Sequence, residues 1–147
     1  MIDRLIDAAA RDGIDKLVVG AIVHRDGQVL ILRRSAADPF LPGIEELPSG
    51  GVEDGEDVLT ALARELAEEI GWDGPPHTDP GFVSCFDYTS GSGRRARQYT
   101  FAVTYAGHEI RLSAEHTAYR WIAVDDLVGS DLTAETAQTI RDWAAVA

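Results

Sequence analysis

The sequence predicts an α/β fold, and two observations support this class. Runs of β-forming residues occur in pairs separated by turn residues, and a strongly amphipathic helical segment lies between two such pairs. The chain has 147 residues, which is a common length for one domain with one substantial core. We therefore expect residues 1–147 to form a single domain.

The N-terminal part begins with a short helix and continues with a hairpin. Apolar residues at helical spacing predict a helix over residues 2–11, and Gly13 follows where a helix end favours glycine. The runs 16–24 and 29–33 are rich in aliphatic and β-branched residues. Because the Asp26-Gly27 pair between them is a strong turn signal, these runs predict two antiparallel strands.

The middle of the chain combines a long loop with the strongest helical segment. Residues 34–55 are rich in Pro, Gly, Ser and Asp, and they predict a loop whose length indicates a function. Residues 56–70 predict a helix that Gly71 ends. Four aliphatic residues form its predicted apolar stripe, namely Leu59, Leu62, Leu66 and Ile70.

The C-terminal half predicts further strands and a closing helix. Residues 81–90 and 98–105 are β-rich runs around a Gly-containing loop, which predicts a second hairpin. A short strand is predicted over 110–112, and an acidic turn follows at Glu115. A further strand is predicted over 119–123 and a helix over about 133–145.

Charge and cysteine content restrict the class of protein. The net charge is -12, from 25 acidic and 13 basic residues, so the surface repels nucleic acids and anionic membranes. We therefore expect neither nucleic acids nor membranes as partners. We expect the protein to be a monomer or a homodimer. Cys85 is the only cysteine, which precludes an intrachain disulfide and, with no long apolar segment, indicates a cytoplasmic protein.

Three glutamates of the predicted middle helix lie close together. At 100° per residue, Glu65, Glu68 and Glu69 fall on one edge beside the apolar stripe. Unit charges about 5 Å apart repel by roughly 3 kcal/mol per pair at an effective dielectric near 20. A cation is therefore expected, and Mg²⁺ binds a few carboxylates while keeping sites for substrate phosphates. A solvated acidic helix face is the alternative.

The residues around these glutamates favour the metal site. Gly50, Glu56 and the segment 64–72 (RELAEEIGW) resemble the Nudix box, GX5EX7REUXEEXGU, where U is a bulky aliphatic residue. Eight of its nine specified positions match, and Trp72 departs at the last one. On this motif the chain resembles the Nudix hydrolase superfamily.

The similarity extends beyond the box to MutT-like members of the superfamily and covers roughly residues 16–127. The segment 46–51 (ELPSGG) resembles the usual entry into the box, and Glu115 lies six residues before Trp121 as in those relatives. Two positions depart from the pattern. Ser49 stands where glycine is usual, which affects a backbone carbonyl that often helps to hold metal, and Glu45 stands where an aromatic residue is common.

The resemblance implies a mixed β-sheet sandwiched between α-helices and a Mg²⁺-dependent hydrolase, with Mn²⁺ as an alternative cation. The implied metal-binding residues are Ser49, Glu65, Glu68, Glu69 and Glu115. Glu56 and Arg64 are implied to form an ion pair that orients the loop and the helix. The general base stays open among Glu68, Glu69 and Glu115, and an exposed turn carboxylate is the alternative for Glu115. His116 either assists in the site or is structural.

The expected substrate is a small nucleotide-like molecule with a diphosphate linkage. Arg33 and Arg34 resemble the arginine that contacts phosphates in MutT-like relatives, and a guanidinium suits bidentate phosphate binding. Glu46 and Gly50 complete the expected substrate-binding residues. The length and these segments favour a nucleoside triphosphate, released as monophosphate and pyrophosphate.

Other substrates and other classes of protein stay open. ADP-ribose, nucleotide sugars and dinucleoside polyphosphates are alternatives, the last because Tyr88 lies about where a tyrosine marks some dinucleoside polyphosphate hydrolases. A diphosphate isomerase on this fold uses a catalytic cysteine, whereas Cys85 lies in no recognisable motif. A non-catalytic nucleotide-binding module is disfavoured because all box glutamates are present.

Overall fold

The computed structural model describes residues 2–37 and 42–147. For Ile2 and Asp3 it describes the backbone but not the side chains. The described helices are α1 (Ile2–Arg11), α2 (Val58–Ile70) and α3 (Ala134–Val146), with a 3-10 helix over Val124–Gly129. The described strands are β1 (Lys16–Arg25), β2 (Gln28–Arg34), β3 (Glu45–Glu46), β4 (Ser49–Gly51), β5 (Thr78–Thr89), β6 (Arg95–Thr104) and β7 (His116–Ala123).

The strands form one mixed sheet in which β1 is central. β6 runs parallel to β1 and pairs with it over most of its length, while β5 pairs with the outer edge of β6. On the other edge of β1, β4 and β2 pair with its two ends in antiparallel orientation. β2 in turn pairs with β3 and β7. This arrangement brings β3, β4 and the start of β7 together at one side of the sheet.

Helices cover both faces of the sheet. Leu30 and Leu32 of β2 pack in the cluster that contains α2, with residues of α1 at its border. Ile31 lies on the opposite face with Ile140 and Trp143 of α3. Because successive strand residues point to opposite faces, β2 is apolar on both. The predicted mixed sheet between helices is confirmed. Among residues 2–37 and 42–147, no helix is long and apolar enough to cross a membrane.

Most predicted elements are confirmed, with ends displaced by a few residues. The first hairpin turns at Asp26 and Gly27, which both have positive φ, 49° and 78°. The predicted strand over 110–112 is wrong, because the Arg111 N–H donates to the Ile70 carbonyl at 2.9 Å and caps the end of α2 instead. The predicted loop 34–55 contains two short strands, β3 and β4, and its residues 38–41 lie outside the described part.

Helix α2 begins later than predicted and its buried face is rotated. Asp57 caps its N-terminus by accepting a bond from the Thr60 N–H at 2.7 Å, and Gly71 ends it with φ 72°. Leu59 is 38% exposed, so its predicted place in the apolar stripe is wrong, whereas Val58 is buried. The rotation carries Glu69 into the interior, where it is 3% exposed.

The rotated face of α2 predicts that two Leu→Ala substitutions on this helix lower the free energy of unfolding by unequal amounts. Leu66→Ala removes a fully buried side chain and is expected to lower the free energy of unfolding by about 2–5 kcal/mol. Leu59→Ala is the matched control on the same helix and is expected to cost less than about 1 kcal/mol. Urea denaturation followed by circular dichroism measures both. Equal losses would contradict the placement of the apolar stripe.

Candidate active site

Arg64 fixes the segment before α2 against the helix. Its Nε and Nη2 atoms donate to the two carboxylate oxygens of Glu56, both at 2.8 Å, and Nη2 also donates to the Gly51 carbonyl at 2.8 Å. This bidentate pair lowers the pKa of Glu56 to about 2. Nη1 donates to Glu65 Oε1 at 2.7 Å. The described contacts thus support the expected orienting pair and add Glu65 to it.

Glu65 lies against the backbone of β4. A Cβ atom built on Gly50 would lie 2.0 Å from the carboxyl carbon of Glu65, so any side chain at position 50 would displace this carboxylate. Burial raises the pKa of Glu65, while the hydrogen bond from Arg64 opposes that rise. A partly desolvated carboxylate therefore sits directly over the glycine of the box.

Glu69 is the most buried carboxylate of the group. Its Oε1 accepts a hydrogen bond from the Ser49 N–H at 2.6 Å. Burial raises its pKa to about 9, with smaller contributions from the negative charges of Glu46, Glu65 and Glu115. The Ser49 bond acts in the opposite direction but is the weaker effect. A cation at this point would allow Glu69 to ionise at neutral pH.

The register of β4 directs the Ser49 backbone toward the same point. The N–H of Ala21 donates to the Pro48 carbonyl, and the N–H of Val52 donates to the Leu17 carbonyl. Ser49 pairs with Gly20 between those hydrogen-bonded pairs. In an antiparallel ladder, such a position turns both the N–H and the carbonyl away from the partner strand. The Ser49 carbonyl therefore faces away from β1, as its N–H does.

A second group of side chains reaches Glu69 from β3 and from the turn before β7. Glu46 accepts a bond from Arg34 at 3.0 Å, and its other oxygen lies 2.7 Å from His116 Nε2. One ligand atom from each of Glu69, Glu115 and His116 lies within 4.8 Å of the other two. Glu115 itself is exposed.

These residues fit a divalent cation. Hard cations bind oxygen ligands, and the carboxylates of Glu69 and Glu115 lie close together. Glu65 is near enough to interact electrostatically with both of them. A bound cation would offset the cost of ionising the buried Glu69 and would supply a partner for Nδ1 of His116, which has none among the described residues. Glu68 differs from the others because its side chain is 59% exposed and its ion pair with Arg64 Nη1 is long, at 3.6 Å.

A cleft leads to this group of carboxylates. One part has a volume of about 270 Å³ and includes the side chains of Ile44, Phe86 and Tyr88 among its walls. The other part is bordered by β4 and by Glu115. Tyr88 and Arg34 line both parts, so the two parts are adjacent. The cleft thus has an aromatic end and an end that meets the carboxylates.

Arg33 and Glu45 both make ion pairs away from the carboxylate group. Arg33 does not line the cleft: it donates to the Gly43 carbonyl at 2.8 Å and to Asp131 at 2.9 Å. Glu45, at a position where an aromatic residue is common in MutT-like relatives, lines the cleft but is buried and accepts two bonds from Arg120 at 2.8 and 2.9 Å. An aromatic contact in the cleft is supplied by β5 instead.

Sequence reasoning missed several residues that line the cleft. Phe86 and Gln98 come from β5 and β6, while Thr133 and Thr136 come from the start of α3. The alternation of outward and inward residues along β5 is the one signal that could have indicated Phe86. The threonines reach the cleft only through the packing of α3 on the sheet, which no local pattern reveals.

Comparison with known proteins agrees with this geometry. The chain matches the family described as NUDIX domain over residues 15–144. It is 30% identical over 135 residues to the nucleoside triphosphatase NudI of Escherichia coli O17:K52:H18, covering 86% of this chain and 94% of the relative. A MutT protein from Methanosarcina mazei superposes with a TM-score of 0.77 at 25% identity, covering 88% and 93% of the two chains. A C. elegans Ap4A hydrolase superposes with a TM-score of 0.78 at 21% sequence identity, covering 89% of this chain and 96% of the other.

The fold and the glutamate-lined cleft define a hydrolase that acts on pyrophosphate bonds. The chain belongs to the NUDIX domain family, since the family match extends over most of its length. The alternatives of an isomerase and of a non-catalytic module are thereby set aside.

The burial of Glu69 predicts that the free energy of unfolding of the metal-free protein depends on pH. Its pKa rises from 4.5 when unfolded to about 9 when folded, so the folded state holds a proton that the unfolded state releases between these values. The free energy of unfolding therefore falls as pH rises through this range. Glu69→Gln keeps an acceptor for the Ser49 N–H and is expected to stabilise the chelator-treated protein at pH 8 by about 1–3 kcal/mol.

Urea denaturation at pH 5 and pH 8 in the presence of a chelator measures this effect. The gain from Glu69→Gln is expected to be larger at pH 8 than at pH 5. Glu109→Gln, at an exposed glutamate of the loop after β6, is the matched control and is expected to follow the wild type. A destabilising Glu69→Gln at pH 8 would show that the carboxylate is ionised and already compensated without metal.

Proposed function

We propose that the chain is a Mg²⁺-dependent nucleoside triphosphate pyrophosphohydrolase that releases a nucleoside monophosphate and pyrophosphate, with Mn²⁺ as an alternative cation. The observation that carries this proposal is the cleft, which has Phe86 and Tyr88 at one end and Glu115 and β4 at the other. In β4, Ser49 bonds to Glu69 and Gly50 lies against Glu65, so this second end is next to the box glutamates. Such a cleft suits a ligand with a flat apolar ring at one end and phosphates at the other. The similarity to a relative named nucleoside triphosphatase supports the same substrate class.

The two ends of the cleft have separate tasks in binding. Phe86 and Tyr88, with ring centroids 5.9 Å apart, offer an apolar surface to a nucleobase. Arg34 lies where the two parts of the cleft meet, and its guanidinium is held by Glu46. We assign to Arg34 the phosphate contact, because a positive charge at the carboxylate end is needed to attract a polyanion. A small substrate also agrees with the net charge of -12, which repels nucleic-acid polymers.

The chemistry at the other end is water attack at phosphorus. Glu65, Glu69 and Glu115, with the Ser49 carbonyl, are the groups that would hold the cation, which when bound neutralises phosphate oxygens and makes water a better nucleophile. Arg64 and Glu56 hold α2 against β4 and do not contact the substrate. The proton of the attacking water passes to an accessible carboxylate, for which the exposed Glu68 and Glu115 are the candidates.

A dinucleoside polyphosphate is the second candidate substrate. Tyr88 lines both parts of the cleft, so a second base could stack at the open side of this ring. Nucleotide sugars and ADP-ribose present the same diphosphate to the carboxylates and differ only at the far end. A substrate panel separates these candidates.

The proposed function predicts a specific profile in a phosphate-release screen. With Mg²⁺, nucleoside triphosphates are expected to yield monophosphate and pyrophosphate faster than nucleotide sugars, ADP-ribose or dinucleoside polyphosphates. Glu69→Gln is expected to lower kcat by about a hundredfold or more without unfolding the protein, and Glu109→Gln to leave it unchanged. Preferential cleavage of another member of the panel would overturn the substrate class, and undiminished turnover of Glu69→Gln would remove Glu69 from the site.

The positions of the two neighbouring arginines predict different kinetics. Arg34→Ala is expected to raise KM for a nucleoside triphosphate about tenfold or more, because a charged contact to phosphate contributes roughly 1.5–3 kcal/mol. Arg33→Ala is the matched control and is expected to change KM less than threefold, since its side chain lies outside the cleft. Steady-state kinetics at saturating metal measures both. A larger KM effect at Arg33 would reverse the assignment.

A further inference from the structure

His116, the first residue of β7, presents a buried nitrogen to the carboxylate group. Its side chain is 0% exposed, and Nδ1 has no hydrogen-bond partner among the described residues. A buried polar atom without a partner costs free energy, so each such atom requires an explanation. Oε2 of Glu69 faces Nδ1 at 4.0 Å. The nitrogen therefore points toward the proposed metal site.

A hydrogen bond on the other side of the ring determines which nitrogen carries the proton. Nε2 lies 2.7 Å from an oxygen of Glu46, whose other oxygen accepts a bond from Arg34. An ionised carboxylate only accepts hydrogen bonds, so Nε2 is the donor and the neutral ring has its lone pair on Nδ1. A carboxylate behind the imidazole is the arrangement that orients histidine ligands in metal sites.

The distances suit two ligands of one cation better than a direct contact. A separation of 4.0 Å between Nδ1 of His116 and Oε2 of Glu69 is too long for a hydrogen bond. Two atoms that each lie about 2.1 Å from a cation are separated by roughly 3.0–4.2 Å. Glu115 supplies a third ligand, since its carboxylate lies within 4.8 Å of ligand atoms of both other residues.

We propose that Nδ1 of His116, with Glu69 and Glu115, forms a mixed nitrogen and oxygen site that binds Mn²⁺ or Co²⁺ more tightly than Mg²⁺. Imidazole nitrogen is a good ligand for transition metals, whereas Mg²⁺ prefers oxygen and retains water. The inference rests on the proposed function, because Glu69 and Glu115 belong to the same catalytic group. It adds a histidine ligand and a metal preference to that group.

Pulsed electron paramagnetic resonance of Mn²⁺ bound to the wild-type protein tests the histidine ligand directly. The spectrum is expected to show the coupling of a directly bound nitrogen. His116→Gln is expected to lose that coupling and to raise the Kd for Mn²⁺ about tenfold or more. His77→Gln, at an exposed histidine, is the matched control and is expected to retain both. A wild-type spectrum without directly bound nitrogen overturns the proposal, whether or not the His116 variant folds.

Two further measurements separate this inference from the proposed function. Calorimetric titration is expected to show that His116→Gln weakens Mn²⁺ binding more than Mg²⁺ binding, and equal losses would overturn the metal preference. Hydrolysis of nucleoside triphosphates by the wild type is followed in parallel. Hydrolysis without nitrogen coupling overturns the histidine ligand and leaves the function standing. Nitrogen coupling without hydrolysis of any nucleotide overturns the function and leaves the metal site standing.

Discussion

The buried carboxylate of Glu69 is the group on which the arrangement of the site depends. The fold places it in a low-dielectric interior, close to other acidic side chains, where ionisation is unfavourable. The Ser49 N–H offsets part of that cost, and a cation would offset the rest. The rotation of α2, the register of β4 and the turn before β7 all bring oxygen atoms to this one position.

Arg64, on the outer side of α2, supplies the positive charge that pairs with the acidic side chains. It bonds to Glu56, to Glu65 and to the Gly51 carbonyl, and it thereby joins the start of the box, its helix and β4. The positive charge limits repulsion among the glutamates, and the described bonds of Arg64 to carboxylates go to Glu56 and Glu65 rather than to Glu69. Glu65 therefore belongs to both groups, since it bonds to Arg64 and is one of the carboxylates proposed to hold the cation.

The sequence predicts the elements well where the signal is local. The Asp26-Gly27 turn, the C-terminal end of α2 at Gly71 and the pairing of Glu56 with Arg64 all follow from short patterns. The rotation of α2 does not, because tertiary packing decides whether Leu59 or Val58 faces the core. Which of Arg33 and Arg34 lines the cleft also depends on the tertiary packing of the end of β2, where the pairing with β7 is irregular. The walls of the cleft come from distant elements and have no local signature.

A crystal structure with Mn²⁺ and a non-hydrolysable nucleotide analogue tests the central claim most directly. Anomalous scattering locates the metal independently of its ligands. The account predicts a Mn²⁺ ion about 2.1–2.2 Å from an oxygen of Glu69 and beside the phosphates of the analogue. An anomalous peak elsewhere, with the Glu69 carboxylate bonded only to protein atoms, would contradict it.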